Sequence, residues 1–152
     1  MAAPDRSSGD GWVRCALGHR HWGRHGAAGL LLLTPSREVL LQHRAPWSHG
    51  GDTWGVPGGA RHSDESAEQA ARRETVEETG IDVSGVGVVD VHVDDHGSWS
   101  YTTLVATIPA LRAVRPDRES IDLRWVPEDD VARFPLHPAF GAAWPLLRRL
   151  LP

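Results

Sequence analysis

The sequence predicts an α/β sandwich. Three observations carry that expectation: short apolar runs precede a polar helix, more short apolar runs follow it, and a second helix closes the chain. A chain of 152 residues can bury one core of that kind without help from disulfides. Residues 1–11 are rich in Ser, Gly, Pro and Asp and are expected to form a flexible terminus, which leaves 12–152 as a single domain.

Taken in order, Gly29–Thr34 and Glu38–His43 are apolar runs separated by Pro35, Ser36 and Arg37, which predicts two core strands joined by a tight turn. Arg44–Gly59 holds five Gly, two Pro and two Trp, so a long loop with a short extended piece at Trp54–Pro57 is expected, and such ordered loops tend to carry function. Ser63 or Asp64 can cap a helix from about Glu65 to Thr79, and Gly80 supplies its stop. Ile81–Val93 and Thr102–Ile108 read as strands around a hairpin at Asp94–Ser100, and Ile121–Val126 as another strand. A last helix starts at Pro138 and runs to about Leu150, with proline at the position where its missing N–H costs nothing.

Charge and cysteine content narrow the function classes. The net charge is -4, and all 16 basic residues are Arg, so there is no electrostatic footprint for a nucleic-acid polymer or an anionic membrane. The longest apolar run, Ala27–Leu33, is too short to span a bilayer. No basic stretch followed by an apolar one marks a leader, and a cytoplasmic location is expected. The single cysteine, Cys15, excludes an internal disulfide. Cys15, His19, His21 and His25 stand close enough in sequence for a zinc site to be drawn, but they lack the paired-ligand pattern, and the reading is against a metal there. Trp12 and Trp22 are expected to pack an N-terminal strand against the domain or against a second subunit, so a homodimer is one expected state.

The stretch from Gly59 to Ile81 carries the chemistry. At about 100° per residue, Glu74, Glu77 and Glu78 share one helical face, and Ala71, Ala70 and Ala67 continue that face toward the N-terminus as a packing surface. Three carboxylates so close repel one another unless something positive joins them. A hard divalent cation with oxygen ligands resolves the repulsion, and a spare carboxylate can then activate water. Arg73 lies off that face and reads as the partner of Glu65, tying loop to helix.

Gly59, Glu65, Arg73, Glu74, Glu77, Glu78, Gly80 and Ile81 resemble the Nudix box, with Thr75 where a bulky aliphatic residue is usual. The resemblance extends over roughly Gly26 to Leu150. It implies a Nudix-type α/β/α sandwich, a mixed sheet between helices, with a loop-helix-loop that binds Mg²⁺ or Mn²⁺. It further implies a catalytic set of Arg73, Glu74, Glu77 and Glu78. The metal set would be the Gly59 carbonyl, Glu74, Glu77 and Glu78, joined by Glu119 from outside the box, with Asp122 as the second candidate. Glu74 would be a ligand or the general base.

Leu40–His49 ahead of Trp54–Gly59 is similar to MutT-type hydrolases of that family. Trp47–His49, Trp99–Thr103 and Pro135–Phe140 resemble actinobacterial members that hydrolyse 8-oxo-guanine nucleotides. On that resemblance Arg44 and His49 would contact phosphate, His137 and Phe140 would lie on the base side, and Trp54 could stack on a base. The substrate implied is a nucleoside di- or triphosphate, with 8-oxo-dGTP or 8-oxo-dGDP foremost. Two other readings stand beside it: a pyrophosphatase acting on a nucleoside diphosphate-linked or biosynthetic nucleotide, and a non-catalytic nucleotide-binding regulator.

Overall fold

The computed structural model describes residues 8–48 and 50–152. A short hairpin of β1 (Trp12–Arg14) and β2 (Arg20–Trp22) leads into β3 (Ala27–Leu33) and β4 (Glu38–Arg44). β5 (Trp54–Gly55) and β6 (Gly58–Ala60) follow, then helix α1 (Ala67–Thr79). After it come β7 (Gly87–Asp95), β8 (Ser100–Thr107), β9 (Ser120–Pro127), a 3₁₀ turn at Glu128–Arg133, and helix α2 (Pro138–Leu150).

Seven strands form one sheet whose backbone path is β5-β4-β3-β8-β7, with β6 also paired to β3 and β9 to β4. The β3–β8 pairing is parallel and the others are antiparallel, so the sheet is mixed, as the family resemblance implies. Side chains of a strand alternate between faces. Leu30 and Leu32 accordingly join Ala70 and Ala71 of α1, whereas Leu31 and Leu33 join Phe140, Trp144 and Leu147 of α2. Both faces of β3 are covered, which is why its sequence is a continuous apolar run rather than an alternating one. Burying one such leucine contributes about 2 kcal/mol.

Several boundaries differ from the sequence reading, each for a local reason. The α1 cap is Ser66, not Ser63 or Asp64: the Ser66 hydroxyl accepts from the Gln69 N–H while the Gln69 side chain accepts from the Ser66 N–H, a reciprocal box. Gly80 ends the helix at φ 73, as expected. The strand predicted from Ile81 begins only at Gly87, because Ile81–Val86 folds back on the helix. Arg72 there donates to the Val83 and Val86 carbonyls, and Asp82 accepts from the Ser84 N–H. Thr75 is fully buried and donates its hydroxyl to the Ala71 carbonyl, so it fills the expected aliphatic position without an unsatisfied group. Trp12 and Trp22 face each other across the first hairpin, edge to face at 5.3 Å. Gly9 and Gly11, in the expected loose terminus, accept from the N–H groups of Arg24 and Gly23. Among the described residues no helix is long and apolar enough to cross a membrane.

Candidate active site

The acidic end of α1 faces the β5–β6 loop and the end of β4. Glu78, 2% exposed, accepts from the Gly58 N–H at 2.9 Å and from the Gln42 side chain. Gln42, itself buried at the end of an otherwise apolar run, also donates to the Ser120 hydroxyl at 2.7 Å. Its Oε1 is a buried acceptor with no hydrogen-bond partner among the described residues. Glu74, one turn earlier, rests against Gly59: a Cβ on that glycine would lie 2.6 Å from the Glu74 carboxyl carbon. Only a residue without a side chain leaves room for the carboxylate here.

Burial dominates the electrostatics. It pushes Glu74 up to about 7, with the Glu77 and Glu119 carboxylates adding to the rise and Arg73 opposing it. Burial, reinforced by the Glu74 charge, pushes Glu78 up to about 8, against its hydrogen bonds and the Arg44 charge. Glu65 is held at about 2 by its paired hydrogen bonds from Arg73, at 2.7 and 2.9 Å. The same guanidinium reaches Glu74 at 2.9 Å and Glu77 at 3.4 Å. Arg73 therefore does what the sequence reading assigned, pinning Glu65, and also touches the acidic face that the reading placed it off.

The structure thus gathers Arg73, Glu74, Glu77, Glu78, Gly59, Glu119 and Arg44. Glu77 is the solvent-facing member, with its side chain 54% exposed. Glu119 is fixed through its carbonyl, which accepts from the Ala45 N–H at 2.9 Å. Asp122 is engaged elsewhere, with Arg124 at 2.8 Å. Trp54 and Phe140 belong to the α2-side core: the Trp54 ring contacts His43 and Phe134, and the Phe140 ring contacts Trp144. His137 caps α2 by accepting from the Ala139 N–H, and its ring lies so close to Gly50 that a Cβ there would overlap it. His49 lies outside the described residues.

Sequence reasoning missed Gln42, Ser120 and Tyr101. A lone amide inside Val39–Leu41 and its flank was the available signal for Gln42. Tyr101 stood inside the Trp99–Thr103 resemblance without a role, since only the fold brings its hydroxyl against Gly29 and Gly58, within reach of the Glu74 and Glu78 charges. Burial raises that phenol above its ordinary range, so it stays neutral beside the carboxylates.

The donor set of this site is all oxygen, its two buried carboxyls are pushed toward protonation chiefly by burial and further by neighbouring carboxylates, and Gly59 leaves room for the Glu74 carboxylate. Those properties fit a hard divalent cation. The NUDIX domain matches residues 23–150. A relative from Mycobacterium tuberculosis is 50% identical over 153 residues, which cover 94% of this chain and 70% of the relative, and it carries the provisional name 8-oxo-dGTP diphosphatase 3. A nucleoside triphosphate pyrophosphatase/Nudix hydrolase fusion protein from Bifidobacterium longum is 44% identical over 90% of this chain and 30% of its own length. The crystal structure of the M. smegmatis Nudix hydrolase RenU is similar with a TM-score of 0.85 at 49% identity, covering 93% of this chain and 94% of that one. Nudix hydrolases generally use divalent metal ions. With the family domain matched over residues 23–150 and the fold matched at 49% identity, the chain belongs to the Nudix hydrolases and is an enzyme of that family.

Proposed function

We propose that this enzyme hydrolyses a diphosphate linkage in a nucleoside di- or triphosphate, with 8-oxo-dGTP and 8-oxo-dGDP as its foremost substrates and Mg²⁺ or Mn²⁺ as its ion. The observation that carries the reading is the buried pair Glu74 and Glu78 set between Gly58–Gly59 and Arg44, with Glu77 and Glu119 beside it. The substrate comes from the name of the 50% identical relative.

Glu74, Glu77, Glu78, Glu119 and the Gly59 carbonyl would hold the ion. Bound there, it would neutralise diphosphate charge and polarise the phosphoryl oxygen under attack. Glu78 is fixed by Gln42 and the Gly58 N–H, which suits a ligand that must not move. Glu74 takes up protons near neutral pH, which suits a base that orients a water and accepts its proton. Arg73 steers Glu74 while anchored on Glu65. Arg44 and His49 grip the phosphate chain, and His137 lies on the base side. The cytoplasm is the proposed location, with neither a nucleic-acid polymer nor a membrane as partner. A second copy has one apolar row on offer: Val89, Val91 and Val93, each about half exposed on edge strand β7.

Release of phosphate and pyrophosphate over a panel of canonical and oxidised nucleotides, UDP-sugars and ADP-ribose tests the reading. Turnover of 8-oxo-dGTP or 8-oxo-dGDP at least about tenfold above the sugar-linked compounds, measured as kcat/KM, supports it. Preference for the linked compounds, or inactivity toward every nucleotide, rejects it.

A further inference from the structure

The first hairpin and the β7–β8 turn meet in a second cluster with different chemistry. Cys15 follows β1, His19 and His21 lie at and in β2, and His96 comes from the far turn, 81 residues away from Cys15. One ligand atom from each of the four falls within 4.8 Å of every other. A four-coordinate Zn²⁺ with such ligands would space them roughly 3.5 Å apart, so closure needs shifts of about an ångström. Cys15 Sγ is already 3.8 Å from His96 Nδ1. His25, grouped with these residues in the sequence reading, is not a member; its place is taken by His96.

We infer that Cys15, His19, His21 and His96 form a closed tetrahedral site for Zn²⁺ that staples the N-terminal hairpin to the β7–β8 turn. One sulfur and three imidazoles are a borderline-soft set that selects zinc over the hard ions suited to the Glu74–Glu78 cluster. The surroundings are built as such sites are. His96 Nε2 faces Asp94 Oδ2 at 3.2 Å, which directs the lone pair of Nδ1 toward the cysteine. The His21 ring stacks on Trp99 at 3.8 Å, nearly parallel, and the Trp99 indole N–H is itself held by the Gly23 carbonyl. Cys15 is buried, with the His96 ring nitrogen beside its sulfur. The two turns touch: a Cβ on Gly97 would sit 3.1 Å from that of Ala16. Binding replaces the Cys15 S–H bond with a sulfur–zinc bond and releases that proton to solvent. Four protein ligands leave no open position, so the site is structural.

The test loads the full chain with Zn²⁺, removes excess by gel filtration and counts metal by mass spectrometry, then repeats with Co²⁺ and records absorption. The expected result is about one ion per chain and a thiolate-to-cobalt charge-transfer band. His19 is exposed, so His19→Ala leaves packing intact and is expected to weaken binding by about 10–100-fold, while Cys15→Ser abolishes the band. His25→Ala and Glu78→Gln are expected to retain the ion fully. Failure of the wild type to hold zinc through filtration overturns the inference, as does retention by Cys15→Ser and His19→Ala equal to wild type.

Discussion

The two clusters differ in how the chain assembles them. Glu74 and Glu78 are one helical turn apart, offer oxygen, and are buried under a glycine loop. Cys15, His19, His21 and His96 offer sulfur and nitrogen, and reach one another only because two hairpins dock. In the roles proposed for them, the first cluster holds an ion that exchanges with substrate and water, and the second one that stays. The contrast teaches that donor type and the origin of the ligands, not proximity of charge alone, separate a reaction centre from a staple.

The largest expected effect belongs to the carboxylates. Glu74→Gln should lower kcat by about 10²–10⁴-fold toward 8-oxo-dGTP, measured at saturating Mg²⁺, whereas Cys15→Ser should leave it within about twofold. Equal losses in the two variants would erase the distinction between the clusters.

Next is Arg73→Ala, which strands the half-buried Glu65 and should cost about 3 kcal/mol in urea unfolding, with Arg73→Lys recovering only part because lysine cannot form the two-pronged pair. A loss below about 0.5 kcal/mol would show the pair to be ornamental.

The pH dependence comes third. Glu74 and Glu78 have folded-state values raised to about 7 and about 8, so the folded protein holds these protons when the unfolded chain has released them. Metal-free stability should therefore fall as pH rises from about 5 to about 8, read as a falling Tm. Glu65 has the opposite sign: its contribution is present above its unfolded value and is lost as pH falls toward about 2. Mg²⁺ should raise Tm more at about pH 8 than at about pH 6, because metal then displaces fewer protons. A metal-free Tm that climbs across that interval would contradict the burial of both groups.

The smallest is Ser66→Ala, about 1 kcal/mol from the lost helix cap, read from the unfolding midpoint. The same substitution at Ser63 should be silent.

Sequence legibility follows the same divide. The loop-helix from Gly59 to Ile81 was readable because helical periodicity alone places Glu74, Glu77 and Glu78 together, and the two faces of the sheet followed from the apolar runs at Leu30–Leu33 and Val39–Leu41. The α1 cap was misplaced because Ser63, Asp64 and Ser66 all stand near the start of the helix, and only the Gln69 contact picks Ser66. Tyr101 and Ser120 were hidden because strand pairing, not spacing, sets them against the carboxylates. His96 was hidden for the same reason, and His25 took its place in the reading merely by lying near in sequence. Trp54 and Phe140 were assigned to the base side, yet both are core residues by burial, and an aromatic side chain gives no signal in sequence that tells stacking from packing.

The most direct test titrates Mn²⁺ into wild type, Glu78→Gln and Cys15→Ser at about pH 8 and follows the free-ion paramagnetic resonance signal. Glutamine keeps the shape of Glu78 and removes a charge that burial disfavours, so the variant should fold. Binding about tenfold or more weaker in Glu78→Gln, with Cys15→Ser equal to wild type, is the predicted result. Undiminished binding in Glu78→Gln would mean that the buried carboxylates do not hold the ion.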